Sequence, residues 1–458
     1  MTINVLPDNV LLHVFHFYRL ACLDGLEDVD QPWDSSWRWH RLVHVCSRWR
    51  SLAFASPDIL DLRLVCDPVT STELTRIWPA LPIIIRNIGT WLMPEDYDFD
   101  AAIVHHNRIR EINLYLTNPQ LQQLASAMQE QFPVLTHLML GYPGCYPSPA
   151  PALPNGLLGG GAPRLQSLKL ESIPFPALPK ILLSATDLVR LSLRNIPHSG
   201  YISPEAFVTG LAALANLESL VIGFESPLSR PDRRSPLPTR TILPALTRFN
   251  FHGVSEYLED FVARIEAPLL DFIFITFFHQ LIFDIPQLVG FMQRTRRFQA
   301  LDETHVDIDH HGVEVVSLPP TSGGKFGLRI SCRKLDWQLS SLAQVVTTLF
   351  ASVYKVEHLY IHGPRYLPAQ WQDDIENMQW LEILHPFVAV KGLYVSKKFA
   401  KCIAPALQEL VGERVTDFLP ALESLRLEEL QPSGAVWKAI VQFIGARQLF
   451  GHPVAVSR

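Results

Sequence analysis

The sequence has 458 residues, more than one compact core usually serves, so several domains or a repeat architecture are expected. Apolar residues make up 48% and charged residues 18%, which is typical of a well-buried folded chain and excludes long disorder. The formal net charge of −6 excludes a broad basic surface for nucleic acid or anionic membranes, so proteins are the expected partners.

The first 64 residues predict a small module of three helices. Pro7 stands at the start of the first helix, where its missing N–H costs nothing, and Leu11, Phe15 and Tyr18 follow at helical spacing. Residues 37–55 repeat that spacing, with Ser47 able to cap the last of the three helices. A module of this size buries little surface alone, so its apolar stripe favours docking of a partner.

The same residues resemble the F-box family. The segment LPDNVLLHVF (residues 6–15) and the segment LVHVCSRWRSLA (residues 42–53) are similar to the two parts of that motif. The stretch that follows, to residue 90, is similar to the junction in fungal F-box proteins that carry divergent leucine-rich repeats.

The resemblance implies a docking function for residues 1–64. It implies that this F-box binds the adaptor subunit of an SCF-type ubiquitin ligase and, through the adaptor, a cullin. An acidic insertion at about residues 19–36 departs from the compact family pattern, and residues 65–105 are expected to form a linker or N-terminal cap. The adaptor-binding residues that the resemblance implies are Leu6, Pro7, Leu11, Leu12, Phe15, Leu42, Val45 and Trp49.

An apolar pattern, L-x-x-L-x-L with other large apolar residues substituting, recurs through residues 106–458. The copies lie about 28 residues apart, near the upper end of the range for leucine-rich repeats. The second apolar positions of the copies are Ile112, Leu138, Leu168, Leu191, Leu220, Phe249, Phe272, Leu301, Leu328, Leu359, Leu393 and Leu425.

Each copy predicts a short strand followed by a return, a helical or irregular segment that leads the chain back beside the previous strand. Successive strands should therefore lie side by side in a curved parallel sheet. The expected fold is therefore α/β, a three-helix F-box followed by a leucine-rich-repeat-like solenoid. Segments at about 142–163 and 225–244 are dense in Pro, Gly and Ser and predict loop insertions. The alternative is that a leucine-rich α/β protein produces the pattern by composition alone.

The outward positions of the repeat strands are the expected target-binding face. Strand residues alternate between the two faces, so the side chains between the buried positions point to solvent. The residues predicted to bind a protein target are Asn113, Met139, Lys169, Ser192, Asn250, Arg329, Tyr360, Tyr394 and Arg426.

The segment DETHVDIDHH (residues 302–311) is the part of the chain that most resembles a catalytic site. Strand alternation would place His305, Asp307, Asp309 and His311 on one face, where they could hold a transition metal. The alternative is a solvated strand face, since no outer-shell partners are identifiable. Motifs for nucleotide binding, serine hydrolysis and zinc proteolysis are missing from the sequence, so we expect no catalytic residue, metal or cofactor.

The cysteines and the apolar stretches indicate the cellular compartment of the protein. The six cysteines lie far apart without a Cys-x-x-Cys pair, which indicates reduced thiols in a cytoplasmic or nuclear protein. Residues 1–18 lack the basic start of a secretory signal. Asp271, Asp284 and Pro286 interrupt the apolar stretch 269–292, so we expect no membrane span.

These features predict a non-catalytic substrate-recognition subunit of an SCF-type ubiquitin ligase, with the F-box docking the adaptor and the repeats binding a protein target. The alternative is a leucine-rich-repeat scaffold that binds proteins outside a ubiquitin ligase.

Overall fold

The computed structural model describes residues 6–23, 40–57, 59–60, 62–66, 81–87, 99, 103–143, 150–227, 240–280, 282–299, 301–309, 311–319, 323–332, 335–353, 356–363, 377–410, 412–428 and 434–457. The chain divides into two compact units. Unit 1 comprises Met1–Leu191 and Ser199–Tyr201, and unit 2 comprises Ser192–His198 and Ile202–Arg458.

Unit 1 begins with three helices, α1 (Asp8–Leu23), α2 (His40–Val43) and α3 (Ser47–Ala55). The cap of α3 is Cys46 and not the predicted Ser47, because the Cys46 Sγ accepts the N–H of Trp49 at 3.5 Å. Helix α1 continues to Leu23, so the predicted insertion begins inside this helix, and its remainder from residue 24 lies outside the described residues.

The rest of unit 1 is a parallel sheet in which strands follow chain order. Its first two strands lie in the region predicted as a linker or cap. Ile112, Leu138 and Leu168 are buried register partners, as the repeat predicts. The strands are β1 (Leu64–Cys66), β2 (Ile83–Arg86), β3 (Ile109–Tyr115), β4 (His137–Gly141) and β5 (Ser167–Glu171), with β6 (Arg190–Ile196) starting in unit 1, and the returns include α4 (Asn118–Ala127) and α5 (Leu178–Leu182).

Unit 2 continues the alternation of strands and returns. Its strands are β7 (Ser219–Phe224), β8 (Thr241–Ile242), β9 (Arg248–Gly253), β10 (Ile265–Glu266), β11 (Phe272–Phe278), β12 (Glu303–Ile308), β13 (Gly312–Leu318), β14 (Lys325–Ser331), β15 (His358–His362), β16 (Gly392–Val395), β17 (Ser424–Leu427) and β18 (Ala455–Ser457). Its helices are α6 (Pro204–Leu211), α7 (Ser255–Ala263), α8 (Pro286–Arg294), α9 (Leu335–Val353), α10 (Asn377–Leu384), α11 (Lys397–Gln408), α12 (Arg414–Asp417) and α13 (Ala435–Leu449). The mixed α/β class and the mainly parallel pairing agree with the prediction.

The sheet of unit 2 has the order β7-β9-β11-β14-β13-β12-β15-β16-β17-β18, while β8 pairs with β10 alone. The expectation of purely parallel pairing is wrong at β13, which is antiparallel to both β12 and β14. The connection from β12 to β13 is too short for a parallel crossover, which needs a dozen or more residues. Instead, Asp309 closes a tight turn by accepting the N–H groups of His311 and Gly312 at 2.7 and 2.9 Å.

The predicted register is wrong by one residue at β11. Ile273 and Ile275 are buried there and Phe272 is half-buried, whereas the repeat pattern placed Phe272 inward. Leu269, which the pattern also placed inward, is 49% exposed, and its neighbour Leu270 is buried instead. Residues on both faces of this strand are apolar, so alternation alone could not choose the inward face.

The register also differs on either side of the antiparallel strand. Thr304 and not Leu301 is the register partner of Leu359. Phe326 and not Leu328 is the partner of Ile273. The inserted hairpin shifts both strands relative to a regular repeat.

Buried polar groups fix two of the returns. The carboxylate of Glu259 on α7 accepts the N–H groups of Gln287 and Leu288 at 2.8 Å each, which satisfies donors in the first turn of α8. Fully buried Arg447 donates to the carbonyls of Val415 and Phe418 at 2.9 Å each, and burial lowers the pKa of this guanidinium. Among the described helices, none has the length and apolar character needed to cross a membrane.

Candidate functional site

The outward face of the C-terminal strands of unit 2 carries a row of aromatic and basic side chains. His305 is the register partner of Tyr360, Tyr360 of Tyr394, and Tyr394 of Arg426, so four adjacent strands each contribute one residue. The apolar residues that alternate with them face the helices and are buried. The sheet-face row is defined as His305, Tyr360, His362, Tyr394 and Arg426.

The rings of this row contact one another. The His305 ring stacks on Tyr360 with centroids 4.6 Å apart and planes inclined by 9°. The rings of Tyr360 and Tyr394 are 5.7 Å apart, and the guanidinium of Arg426 lies 5.9 Å from the Tyr394 centroid. Such contacts hold the side chains in place.

A hydrogen-bonded chain fixes the two histidines. The carboxylate of Glu303 lies 2.7 Å from Nε2 of His305, and Nδ1 of His305 lies 3.1 Å from Nε2 of His362. A carboxylate only accepts, so Nε2 of His305 carries the proton in the neutral ring and its Nδ1 accepts. The geometry therefore assigns the Nε2 proton of His362 to the bond between the two rings.

The four side chains considered as possible metal ligands do not share one strand face, so the placement expected from strand alternation is wrong. Strand β12 ends at Ile308, and Asp309 lies in the turn that follows. His305 and Asp307 remain on the same face, but His311 lies beyond the turn. Among the described residues, no group of three or more His, Cys, Asp or Glu side chains is arranged to hold a metal ion.

Arg329, a predicted target-binding residue, is engaged within the sheet. Its guanidinium contacts Asp309 at 3.0 Å and Glu314 at 3.1 Å. Burial acts to lower the pKa of Arg329, but its hydrogen bonds and charge pairing with Asp309 and Glu314 raise it overall. For Asp309, burial acts to raise the pKa, but the N–H groups of the turn and Arg329 lower it overall. Arg329 is therefore a structural cross-link between β14, β13 and the turn.

The remaining predicted target residues lie on outward positions in both units. Asn113, Met139 and Lys169 are register partners in unit 1 and are half-buried. Ser192 on β6 and Asn250 on β9 are half-buried in unit 2. The structure thus places three of the predicted residues in the sheet-face row and three in a row of unit 1.

The unit 1 row is tied to a polar network. The Tyr115 hydroxyl lies 3.2 Å from Glu171, and the Lys169 ammonium lies 3.4 Å from the same carboxylate. The ring of Tyr115 crosses over Gly141, where a Cβ would come within 2.4 Å of the ring. Lys169 is therefore not a free cation for a partner.

Four of the residues implied to bind an adaptor form the core of the N-terminal helices. Leu11 and Phe15 are fully buried, and Leu42 and Trp49 are nearly so. The rings of Phe15 and Trp49 lie 4.7 Å apart. These side chains hold α1 against α3 and are not available to contact a partner directly.

The other four implied adaptor residues are more accessible. Val45 is 57% exposed, Pro7 is exposed, and Leu6 and Leu12 are half-buried. Arg48 joins α3 to the start of α1 through Asp8 at 2.6 Å and the carbonyl of Leu6 at 2.6 Å.

An apolar stripe on α1 faces solvent. Val10, Val14 and Phe17 are 37%, 40% and 67% exposed and stand at positions i, i+4 and i+7. Residues at that spacing share one face of a helix. These three residues are called the α1 stripe.

Sequence reasoning missed His362 as part of the target face. The signal was available, because His362 is two residues after Tyr360 and therefore shares its face. His305 was assigned to a metal set on the same alternation that places it in the sheet-face row.

No family model matches the sequence, and no curated protein matches it at a significant level. Among solved structures, the chain is similar to the leucine-rich repeat-containing protein LegL7 from Legionella pneumophila. The identity is 13%, the similarity covers 77% of this chain and 96% of that chain, and the TM-score is 0.27. A TM-score this low carries no argument about function.

Proposed function

We propose that this chain is a non-catalytic receptor that binds a protein target on the outward face of the unit 2 sheet. The observation that carries the proposal is the sheet-face row, in which two tyrosines, two histidines and an arginine stand side by side on adjacent strands. Tyr and Arg are enriched at the energetic centres of protein interfaces.

The order already present in the row supports the same proposal. His305 is held by Glu303 and His362, and it stacks on Tyr360. Immobilising a flexible side chain on binding costs free energy, and that cost is smaller where contacts within the free protein restrict the rotamer. Rigid tyrosines in particular provide large contact areas at low entropic cost.

We further propose that the N-terminal helices dock the adaptor subunit of an SCF-type ubiquitin ligase, which would link the chain to a cullin. Two observations support this step: the resemblance of residues 6–15 and 42–53 to the F-box, and the α1 stripe, which leaves apolar side chains in solvent. The chain would then be the substrate-recognition subunit, working in the cytosol or nucleus, and other subunits would transfer ubiquitin.

Co-purification of the full chain with the SCF adaptor tests this step. Substituting Leu11 or Trp49 would disrupt the helical core, so the informative variant is Val14→Asp/Phe17→Asp on the exposed stripe. Asn9→Asp, an exposed position on the same helix outside the stripe, is the matched control. We expect the wild type and the control to capture the adaptor and the stripe variant to lose it.

A protein-binding scaffold outside a ubiquitin ligase is the second candidate function. It would use the same sheet-face row and need no adaptor. Failure of the wild-type chain to capture the adaptor, together with retained binding of a target, would favour this scaffold over the ligase subunit.

A further inference from the structure

A cavity of about 180 Å³ opens among the strands of unit 2, away from the sheet-face row. It lies where Gly223, His252 and Thr276 are register partners on β7, β9 and β11. Gly223 contributes no side chain, so the space above its strand stays open between the residues on either side. A glycine inside a strand often marks a place where a ligand or another backbone approaches closely.

The polar groups around this cavity are mostly hydrogen-bond donors with unused capacity. Asn195, Asn250, Thr276 and His252 line it, and among the described lining residues Arg194 alone carries a full charge. Within the described part of the chain, the side chains of Asn195, Asn250 and Thr276 form no hydrogen bond. Asn250 and Thr276 are half-buried and Asn195 is exposed, and each of these side chains could form hydrogen bonds to a ligand.

The charge of the lining favours an anion. A carboxylate entering the cavity would meet the Arg194 guanidinium, two side-chain amides and a hydroxyl, and none of the described lining residues is acidic. Hydrogen bonds from a guanidinium to a carboxylate are short and roughly twice as strong as neutral ones. Because the described lining supplies one cation, Arg194, it compensates a singly charged carboxylate but not a doubly charged phosphate.

The size of the cavity fits one side-chain head group. Its volume of about 180 Å³ compares with the roughly 30 Å³ that one water occupies in the liquid. That space accommodates a carboxylate with the methylene groups that attach it to a backbone, but not a folded element. The anion must therefore project from an extended segment that lies across the sheet.

We propose that this cavity binds the carboxylate of an Asp or Glu side chain on the protein target, with Arg194, Asn195, Asn250 and Thr276 as its hydrogen-bond donors. This inference rests on the proposed function, since it names a side chain of the target that the receptor would recognise. It adds a site distinct from the sheet-face row and gives the target a chemical class, a segment with an acidic residue.

Degenerate peptides test the proposal directly. Fluorescein-labelled nonapeptide pools with a fixed central Glu, Gln, Lys or phosphoserine and degenerate flanks are titrated with the full chain, and binding is followed by anisotropy. We expect the Glu pool to bind at least about five-fold more tightly than the Gln and Lys pools, on the scale of one charge-assisted hydrogen bond. A phosphoserine pool that binds more tightly than the Glu pool would overturn the assignment to a carboxylate.

Two variants and one control locate the effect. Gly223→Val fills the cavity, and the added Cβ meets its nearest atom, Cβ of His252, at an ordinary 3.5 Å. Arg194→Gln removes the cation, and Arg248→Gln makes the same charge change on β9 outside the cavity. We expect the Glu preference to vanish in the first two proteins and to persist in Arg248→Gln.

The outcomes separate this proposal from the receptor function. A Glu preference that survives Gly223→Val, or the absence of any preference for Glu in the wild type, overturns the cavity assignment. If pools bind regardless of their central residue and lose binding when Tyr360 and Tyr394 are replaced, the receptor proposal stands and the cavity proposal fails. Unchanged urea unfolding midpoints confirm that each variant is folded.

Discussion

The Nδ1 atom of His305 lies 3.1 Å from Nε2 of His362, and the two rings are inclined by 9° with centroids 5.3 Å apart. That centroid distance, with nearly parallel planes, places the rings edge to edge, so the lone pair of one nitrogen points at the other. Because Glu303 holds the opposite edge of His305 at 2.7 Å, the tautomers of both rings follow from one carboxylate. The centre of the candidate binding face is thus ordered without a partner.

Replacing His305 tests this order. His305→Phe keeps a ring that can stack on Tyr360 but removes the bonds to Glu303 and His362. We expect the free energy of unfolding to fall by about 1 to 2 kcal/mol, the net value of two hydrogen bonds at a partly exposed site. Urea denaturation measures the change, with Asp307→Asn, an exposed residue on the same strand, as the control. An equal loss in both variants would show that the chain of bonds contributes nothing.

The salt bridge of Asp309 and Arg329 gives a pH-dependent stability. The folded-state pKa of Asp309 is lowered, so its stabilising contribution is present above the ordinary pKa of 3.8 and is lost as pH falls through the folded value. Urea unfolding between pH 7 and pH 3 should therefore show a steeper loss of stability in the wild type than in Asp309→Asn. Parallel curves for the two proteins would contradict this assignment.

Protonation of His252 should destabilise the folded protein nearer to neutral pH. Burial lowers the pKa of this histidine from 6.5, so the unfolded chain binds more protons than the folded chain as pH falls below that value. The free energy of unfolding should fall as pH is lowered through this range, and His252→Gln should flatten the fall. Burial also lowers the pKa of His137, which should account for the pH dependence of stability that remains in this variant. A variant as sensitive to acid as the wild type would exclude His252 as the source.

Gly312 is required where β13 passes close to β14. A Cβ at this position would lie 2.2 Å from the Ile330 carbonyl oxygen, a backbone atom that cannot move aside cheaply. We expect Gly312→Ala to cost at least the upper end of overpacking penalties, about 3 kcal/mol. Gly223→Ala is the matched control, because its Cβ has no neighbour nearer than 3.5 Å. Similar unfolding midpoints for the two variants would mean that β13 does not pair as described.

The repeat itself was predictable because each copy contains its own pattern of apolar residues. At β3, β4 and β5 the inward positions are apolar, and the predicted positions Ile112, Leu138 and Leu168 are register partners. At β11 both faces are apolar, so periodicity could not distinguish Phe272 from Ile273. The local pattern therefore failed to determine the register at β11, where large apolar side chains occupy both faces.

The antiparallel hairpin and the site could not be predicted in the same way. The segment from Glu303 to Leu318 has no Asn-Gly or Asp-Gly turn, and the turn at Asp309 depends on Arg329 from another strand. His305, Tyr360, Tyr394 and Arg426 lie far apart in the sequence, and the register of the strands brings them together. The cavity could not be predicted because Gly223, which leaves the space open, has no side chain that would mark the position in the sequence.

Binding of a protein target by the sheet-face row can be tested directly. The direct test is affinity capture with quantitative mass spectrometry, comparing the wild type with Tyr360→Ser/Tyr394→Ser and with Met378→Ser/Val441→Ser, in which two exposed residues of helices α10 and α13 are changed. We expect a partner retained by the helix variant to be lost by the row variant, with purified proteins showing at least about 30-fold weaker binding, the effect of a loss of 2 kcal/mol. Equal capture by the two folded variants, with unchanged affinity, would contradict the assignment of the row as the binding face.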